Sequence, residues 1–437
     1  VAMAVDGRPD PLGQPHALPQ SSAAGKEQGP PAKEGGPAGG SPVEVFSVFL
    51  KLGLTSFGGP IAHLGYFRDE LVVRRRWINE AGYADLVALC QFLPGPASSQ
   101  VGFCLGLLRG GGLLGGLAAW LAFTLPSAAL LIAFALGAST LTGPVATGVL
   151  HGLKLVAVAV VAQAIWGMAR TLTPDRERAA IALAAVILTA LTAGSFGQIA
   201  AIAIGALAGI WLCRIEKSAA IGRLGVAVSR RKGAIALALF AAFLLIPAVL
   251  VGATGPDTAL SRAIALFDAF YRSGALVFGG GHVVLPLLQA EVVAPGWVGN
   301  EAFLAGYGLA QAVPGPLFTF AAYLGAVMAP APNGIAGALL ALIAVFAPGL
   351  LLVYGMLPFW DRLRLRPTAQ AAMRGANAAV VGILAAALYS PVWTSAVLSP
   401  RDFALALAGF LLLTVWKTPP WIVVALLSGA GALLTLV

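Results

Sequence analysis

Residues 49–60, FLKLGLTSFGGP, return as residues 270–281, FYRSGALVFGGG, and this pair decides how the chain is read. Phe49, Gly53, Phe57, Gly58 and Gly59 match Phe270, Gly274, Phe278, Gly279 and Gly280. The series continues in order. Trp77 matches Trp297, Glu80-Ala81 matches Glu301-Ala302, and Gln91 matches Gln311. Pro94-Gly95-Pro96 matches Pro314-Gly315-Pro316, Pro126 matches Pro348, and Gly152 matches Gly375. The lag stays within 219–223 residues. Chance supplies one Gly-Pro match but not an ordered series, and internal repeats of this size are characteristic of secondary transporters.

The solvent for this repeat is a bilayer. Of 437 residues, 59% are hydrophobic and 10% charged, against roughly 25% charged in soluble domains. The mean hydropathy of +0.88 agrees. A soluble enzyme and a disordered chain are both excluded. Apolar segments lie at 43–57, 81–92, 97–108, 113–137, 145–169, 179–193 and 196–213, then at 233–252. They resume at 262–278, 301–312, 317–329, 334–357, 370–389, 402–416 and 419–437. These runs are Ala/Leu-rich and lack the alternation of a membrane barrel. Residues 1–42, rich in Pro, Gly, Ala and Gln, read as a disordered tail. The expected fold is therefore an all-α polytopic membrane protein. Its two homologous repeats, 43–213 and 262–437, are joined by a basic linker with an extra span over 214–261.

Charge gives the relative orientation. The net charge is +9, which reads as a topology signal and not as a nucleic-acid surface. Half one is basic at Arg68 and Arg74–Arg76, where half two has no Lys or Arg between Arg272 and Arg362. After the Pro126 span half one carries no charge between Arg109 and Lys154, where half two has Arg362, Arg364 and Arg366. The swapped charge favours inverted repeats. A count of thirteen crossings follows if residues 81–108 cross once as a broken helix, but it puts Arg170–Arg178 on the face opposite Arg74–Arg76.

Two motifs carry candidate chemistry. The first is Lys51, Thr55, Ser56, Gly58, Gly59 and Pro60, mirrored by Arg272, Gly279, Gly280, Gly281 and His282. Consecutive glycines let the backbone leave the helix, which a bilayer tolerates only where protein, water or ligand meets the freed amides. A cation seven residues earlier would complete an oxyanion site; the plainer reading is close helix packing with a snorkelling cation. The second is Gln91, Pro94, Gly95, Pro96, Ser98, Ser99 and Gln100, mirrored by Gln311, Pro314, Gly315, Pro316 and Thr319. Pro-Gly-Pro breaks a helix and restarts it, aiming a helix N-terminus into the protein. Asp85, His63 and His282 are candidates for carrying protons, Asp85 alternatively as a partner for Lys51. His151 and Lys154, with Arg374 and Asn377 as repeat mates, read as a helix end at the headgroups. Cys90, Cys104 and Cys213 show no paired spacing, and the histidines form no metal cluster. There is no Walker A motif, so ATP hydrolysis is not encoded.

The stretch Phe49–Gly106 resembles the N-terminal signature of the long-chain chromate ion transporters, and FYRSGALVFGGGHVVLPLLQ and GLAQAVPGPLFTFAAYLG resemble the second-half signature. The resemblance covers residues 43–437. It implies a multi-pass efflux carrier for chromate in the bacterial inner membrane that confers chromate resistance. A carrier or channel for sulfate or another oxyanion is the alternative. It also implies two domains of opposed orientation, coupling to protons, interaction with sulfate and membrane lipid, and a homodimer as one candidate assembly. On the matching positions it places function at Gly58, Gly59, Pro60, His63, Arg76, Trp77, Asp85, Gln91, Pro94, Gly95, Pro96, Ser98, Ser99 and Gln100. A membrane-embedded enzyme such as a chromate reductase would need a redox centre or an activated nucleophile. No such cluster is visible, so the expectation is no enzyme and no cofactor.

Overall fold

The computed structural model describes residues 39–137, 143–192, 194–213, 228–254 and 258–435. The expected tail at 1–42 lies almost wholly outside the described residues, as do Arg214, Lys217 and Arg223 of the basic stretch. Every regular element among the described residues is a helix.

Each half opens with two helical hairpins. Helix α1 (Pro42–Thr55) starts at Ser41, whose side chain accepts from the Glu44 amide, and has proline at its first position. It stops because Gly58 and Gly59 take positive φ, 97° and 78°, which glycine adopts at little cost. The chain then reverses into α2 (Gly59–Phe67), bringing the Phe67 ring within 5.4 Å of Phe49. Helices α3 (Glu80–Phe92) and α4 (Ala97–Arg109) reverse in the same way about Pro94-Gly95-Pro96. The end of α4 returns to the start of α3, with the Arg109 guanidinium 5.6 Å from the Trp77 ring.

The second half repeats both turns. Helices α10 (Ala259–Ala275) and α11 (Val284–Val292) flank the glycine break, and α12 (Asn300–Ala310) and α13 (Phe320–Val327) flank Pro314-Gly315-Pro316. Phe303 stacks edge-on to Phe320 at 5.2 Å, and the Tyr323 hydroxyl donates to the Ala302 carbonyl at 3.1 Å. The Ala329 amide donates to the Trp297 carbonyl at 2.9 Å, the repeat mate of the Arg109–Trp77 closure. These are re-entrant hairpins that enter and leave on one face.

That geometry corrects the expectation that residues 81–108 cross once, and with it the count of thirteen. Beside the hairpins the described residues hold nine helices of fifteen or more residues. They are α5 (Leu113–Gly137), α6 (Pro144–Leu172), α7 (Arg176–Leu191), α8 (Ser195–Leu212), α9 (Arg230–Thr254), α14 (Gly334–Met356), α15 (Pro367–Ala387), α16 (Pro400–Thr414) and α17 (Pro420–Leu434). Of these, α5, α6, α9, α14 and α15 are long and apolar enough to cross a membrane. Five of the nine, α5 through α9, lie between the two starts, an odd number, as inverted repeats require. Apolar periodicity sees both arms of a re-entrant hairpin as spans, and the contacts between the arms expose the reversal.

The correction also removes the charge anomaly. Arg74–Arg76, Arg170–Arg178, Arg230–Lys232, Arg362–Arg366 and Lys417 now all lie at one face. The described turns at the other face carry few cations, Arg262 and Arg401 among them. On the basic face, the side chain of Asp175 caps α7 by accepting from the Arg178 amide, and hydrogen bonds from Arg178 hold its carboxyl below the usual range.

The halves interlock. Helix α6 packs on α16 and α17 of the other half, and α15 packs on α7 and α8. Glycines let these pairs approach closely: a β-carbon at Gly152 would lie 2.3 Å from the Leu427 carbonyl oxygen, and one at Gly375 would lie 2.0 Å from that of Gly205.

The face assignment predicts a labelling pattern. By the positive-inside rule the basic face is cytoplasmic. In whole cells, a membrane-impermeant thiol reagent should label a cysteine at exposed Leu398 and spare cysteines at Arg176 and Leu365. Labelling of Arg176→Cys in a protein whose Arg74→Cys stays protected would restore the count of thirteen.

Candidate functional site

The four breaks meet inside the bundle, held by a reciprocal pair of backbone hydrogen bonds. The Gly95 amide donates to the Val277 carbonyl at 2.7 Å, and the Gly315 amide donates to the Ser56 carbonyl at 2.9 Å. Ser56 and Val277 are repeat mates, as are Gly95 and Gly315, so each Pro-Gly-Pro turn is tied to the glycine break of the opposite half. Gly95 sits against the Cα of Gly349, and Gly315 against the Oγ of Ser127. Pro60 of the first half meets Gly281 of the second.

A small cavity of about 20 Å³ opens at this crossing, lined by Gly58, Gly59, His282, Ala310, Gln311, Val313, Gly315, Leu317 and Pro420. Five of these residues were singled out in the sequence, from both motifs and both halves. The Gln311 Nε2 is buried with no hydrogen-bond partner among the described residues. His282 is engaged through Nδ1 with the Tyr307 hydroxyl at 2.7 Å. The cavity is of water-molecule scale, so a four-oxygen anion needs the breaks to move apart.

Behind Gly315 lies a polar wall supplied by the first half. His63 lies 3.4 Å from the Ser98 hydroxyl and packs edge-on to Phe123. Ser127 donates to the Thr124 carbonyl. The hydroxyls of Ser56, Ser99 and Thr124 are buried without partners among the described residues. Helix α4 begins here at Pro96 with no side-chain cap, so its first amides present the positive end of a helix dipole. The repeat mates of Ser56, His63, Ser98, Gln100, Thr124 and Ser127 are Val277, Val284, Phe318, Phe320, Phe346 and Gly349. Ser99 alone keeps a polar mate, Thr319, whose hydroxyl is bonded to the Pro316 carbonyl, so the polar wall is concentrated in the first half and the site is asymmetric. Thr124 and Ser127 were not singled out in the sequence; their flanking of Pro126, a repeat-matched helix proline, was the available signal.

Several expected site residues stand elsewhere. Lys51 is 59% exposed and pairs with Glu70 at 3.8 Å; its mate Arg272 pairs with Glu291 at 3.2 Å and Asp268 at 2.6 Å. A cation seven residues before the break lies about 10 Å back along the helix, where an acid on the returning arm meets it. The two pairs are repeat mates that clamp the first hairpins. Thr55 is exposed and donates to the Lys51 carbonyl, and Gln91 is exposed. Gln100 is fully buried, but its Nε2 serves the structure by bridging the carbonyls of Pro94 and Gly349. Thr319 donates to the Pro316 carbonyl. Gly279 and Gly280 lie against α6 near Met168. Pro94, Pro96, Pro314 and Pro316 shape the turns.

Asp85 meets Arg364 and not Lys51. Its Oδ1 accepts from Arg364 at 2.9 Å and from the Trp360 indole at 3.2 Å, and the residue is 3% exposed. This inter-half tie on the basic face has no mate: Gly306 stands at the equivalent position, facing the Tyr323 ring. Arg364 also pairs with Asp361 at 2.8 Å, so losing Asp85 leaves the Trp360 indole without its acceptor and the guanidinium with one carboxylate fewer. Asp85→Ala should cost about 1–2 kcal/mol of stability, read as a lower melting temperature in detergent. An unchanged melting temperature would make the pair incidental.

Comparisons with known proteins fit this arrangement. The family described as chromate transporter matches residues 43–210 and again 264–433. The "Chromate transport protein" of Pseudomonas aeruginosa is 30% identical over 402 residues, 89% of this chain and 91% of the relative. The "Probable chromate transport protein" of Synechococcus elongatus is 31% identical over 79% of this chain and 83% of the relative. That of Cupriavidus metallidurans, "Chromate transport protein", is 28% identical over 79% of this chain and 81% of the relative. No solved structure matches.

Proposed function

The chain belongs to the chromate transporter family, and from that premise we propose that it is a secondary active carrier that exports chromate across the bacterial inner membrane and so confers chromate resistance. The observation that carries the reading is the cavity beside the crossing of the breaks, lined from both halves by Gly58, Gly59, Gly315, Gln311 and His282. Chromate is a tetrahedral dianion. Donors that match it are amides, hydroxyls and one side-chain amide, supplemented by the α4 dipole. Lys51 and Arg272, already neutralised by carboxylates, are left to hold the hairpins.

Alternating access follows from the inversion. If the two sets of hairpins exchange roles, the polar wall of the first half is exposed to each face in turn. The breaks are tied by two backbone hydrogen bonds, a joint that a modest differential affinity can open. His63 and His282, both at the crossing, are the groups through which protons couple to the movement. The same donors suit sulfate, which is the second substrate to test.

The experiment is chromate uptake into everted membrane vesicles with a proton gradient imposed and then collapsed. The carrier accumulates unchanged Cr(VI) above the external concentration only while the gradient stands, and sulfate competes. Flux that stops at equal concentrations regardless of the gradient would make the protein a channel. Recovery of reduced chromium would make it an enzyme.

A further inference from the structure

A cleft away from the crossing is far larger than the cavity there. It has a volume of about 990 Å³ and lies between α4 and α5 on one side and α9 and α14 on the other. Helix α9, the span between the repeats, packs on α10 and α14 and leaves the wall facing α5 open. The cleft wall is built of residues such as Leu117, Trp120, Leu239, Phe243 and Ile343, and none of its lining residues is acidic.

Its dimensions match one leaflet. The mouth is at the basic face, at Gly111, Gly112 and Lys232, and the floor is at Phe243 and Ile343. From Lys232 to Phe243 the helix rises about 16 Å, close to half of a hydrocarbon core about 30 Å thick. The lining is charged at headgroup level and apolar at acyl-chain level. Lys232 follows Arg230 and Arg231, and all three are exposed.

We propose that this cleft is a binding site for one anionic glycerophospholipid of the cytoplasmic leaflet, its phosphate at Lys232 and one acyl chain between α5 and α9. Charge complementarity selects the anionic headgroup: Lys232 lines the mouth, the exposed Arg230 and Arg231 lie on the same helical turn beside it, and basic pockets between helices on this face suit acidic lipids. The site is independent of the oxyanion crossing.

The test counts lipids on the detergent-purified full chain by native mass spectrometry after titration with phosphatidylglycerol or phosphatidylcholine. Wild type should retain one phosphatidylglycerol at least fivefold better than phosphatidylcholine. Lys232→Glu should abolish the preference. Leu239→Trp, at a partly exposed wall position that tolerates bulk, should lower retention of both lipids without lowering the melting temperature. Equal retention of the two lipids by wild type, or retention unaffected in both variants, overturns the proposal. So does disulfide cross-linking of Leu117→Cys between chains in membranes, which would assign the cleft to a second copy.

Discussion

Replacing Gly59 with alanine should stop chromate transport in a protein that still folds. Gly59 lines the crossing cavity, and a β-carbon built on it meets nothing within 4 Å. The new methyl therefore displaces no protein atom, and the substitution acts on the left-handed backbone of the break that the oxyanion is proposed to meet. Its φ of 78° is left-handed, so the cost to the fold is about 1–2 kcal/mol. The expected result is transport reduced at least tenfold, with normal amounts of protein in the membrane. Wild-type transport by Gly59→Ala would show that the cavity is not on the path.

Gly95→Val should fail earlier, at folding. A β-carbon there would lie 2.9 Å from the Gly349 Cα and 2.9 Å from the Gln100 Nε2, at a φ of 120°. The strain falls on the joint where Gly95 donates to Val277 and Gln100 holds the Pro94 and Gly349 carbonyls. Overpacking and a forbidden backbone add, and several kcal/mol of destabilisation follow. The expected result is little protein in the membrane and a cooperative transition lost on heating. A Gly95→Val protein with wild-type abundance and melting would mean that the inter-half joint contributes little to the fold. The contrast between the two glycines is the sharper part: both lie in breaks, yet one borders space and the other borders backbone.

The repeat was legible in the sequence because its markers are glycines and prolines, whose backbone roles forbid most replacements. The inversion was legible from the exchanged cations. The re-entrant path was not, because both arms of a hairpin are as apolar as a span; only pairs such as Phe303 with Phe320 reveal the reversal. The two cations misled for a related reason. A period of 3.6 residues places Lys51 and Arg272 on the face of the break, but Glu70 and Glu291, on the returning arms, claim them. The asymmetry of the polar wall was half visible in Ser98 and Ser99 against Phe318 and Thr319. Its completion by Thr124 and Ser127 required the packing of α5 against the Pro-Gly-Pro turn of the other half.

The most direct measurement is calorimetric titration of chromate into the purified chain, wild type against Gln311→Leu. Gln311 supplies the buried, unpartnered side-chain donor of the cavity, and a hydrogen bond to a charged ligand contributes about 1.5–3 kcal/mol. The account predicts one chromate per chain for wild type, bound at least tenfold more weakly by Gln311→Leu at an unchanged melting temperature. Equal affinity in the two proteins would contradict it and move the oxyanion away from the crossing of the breaks.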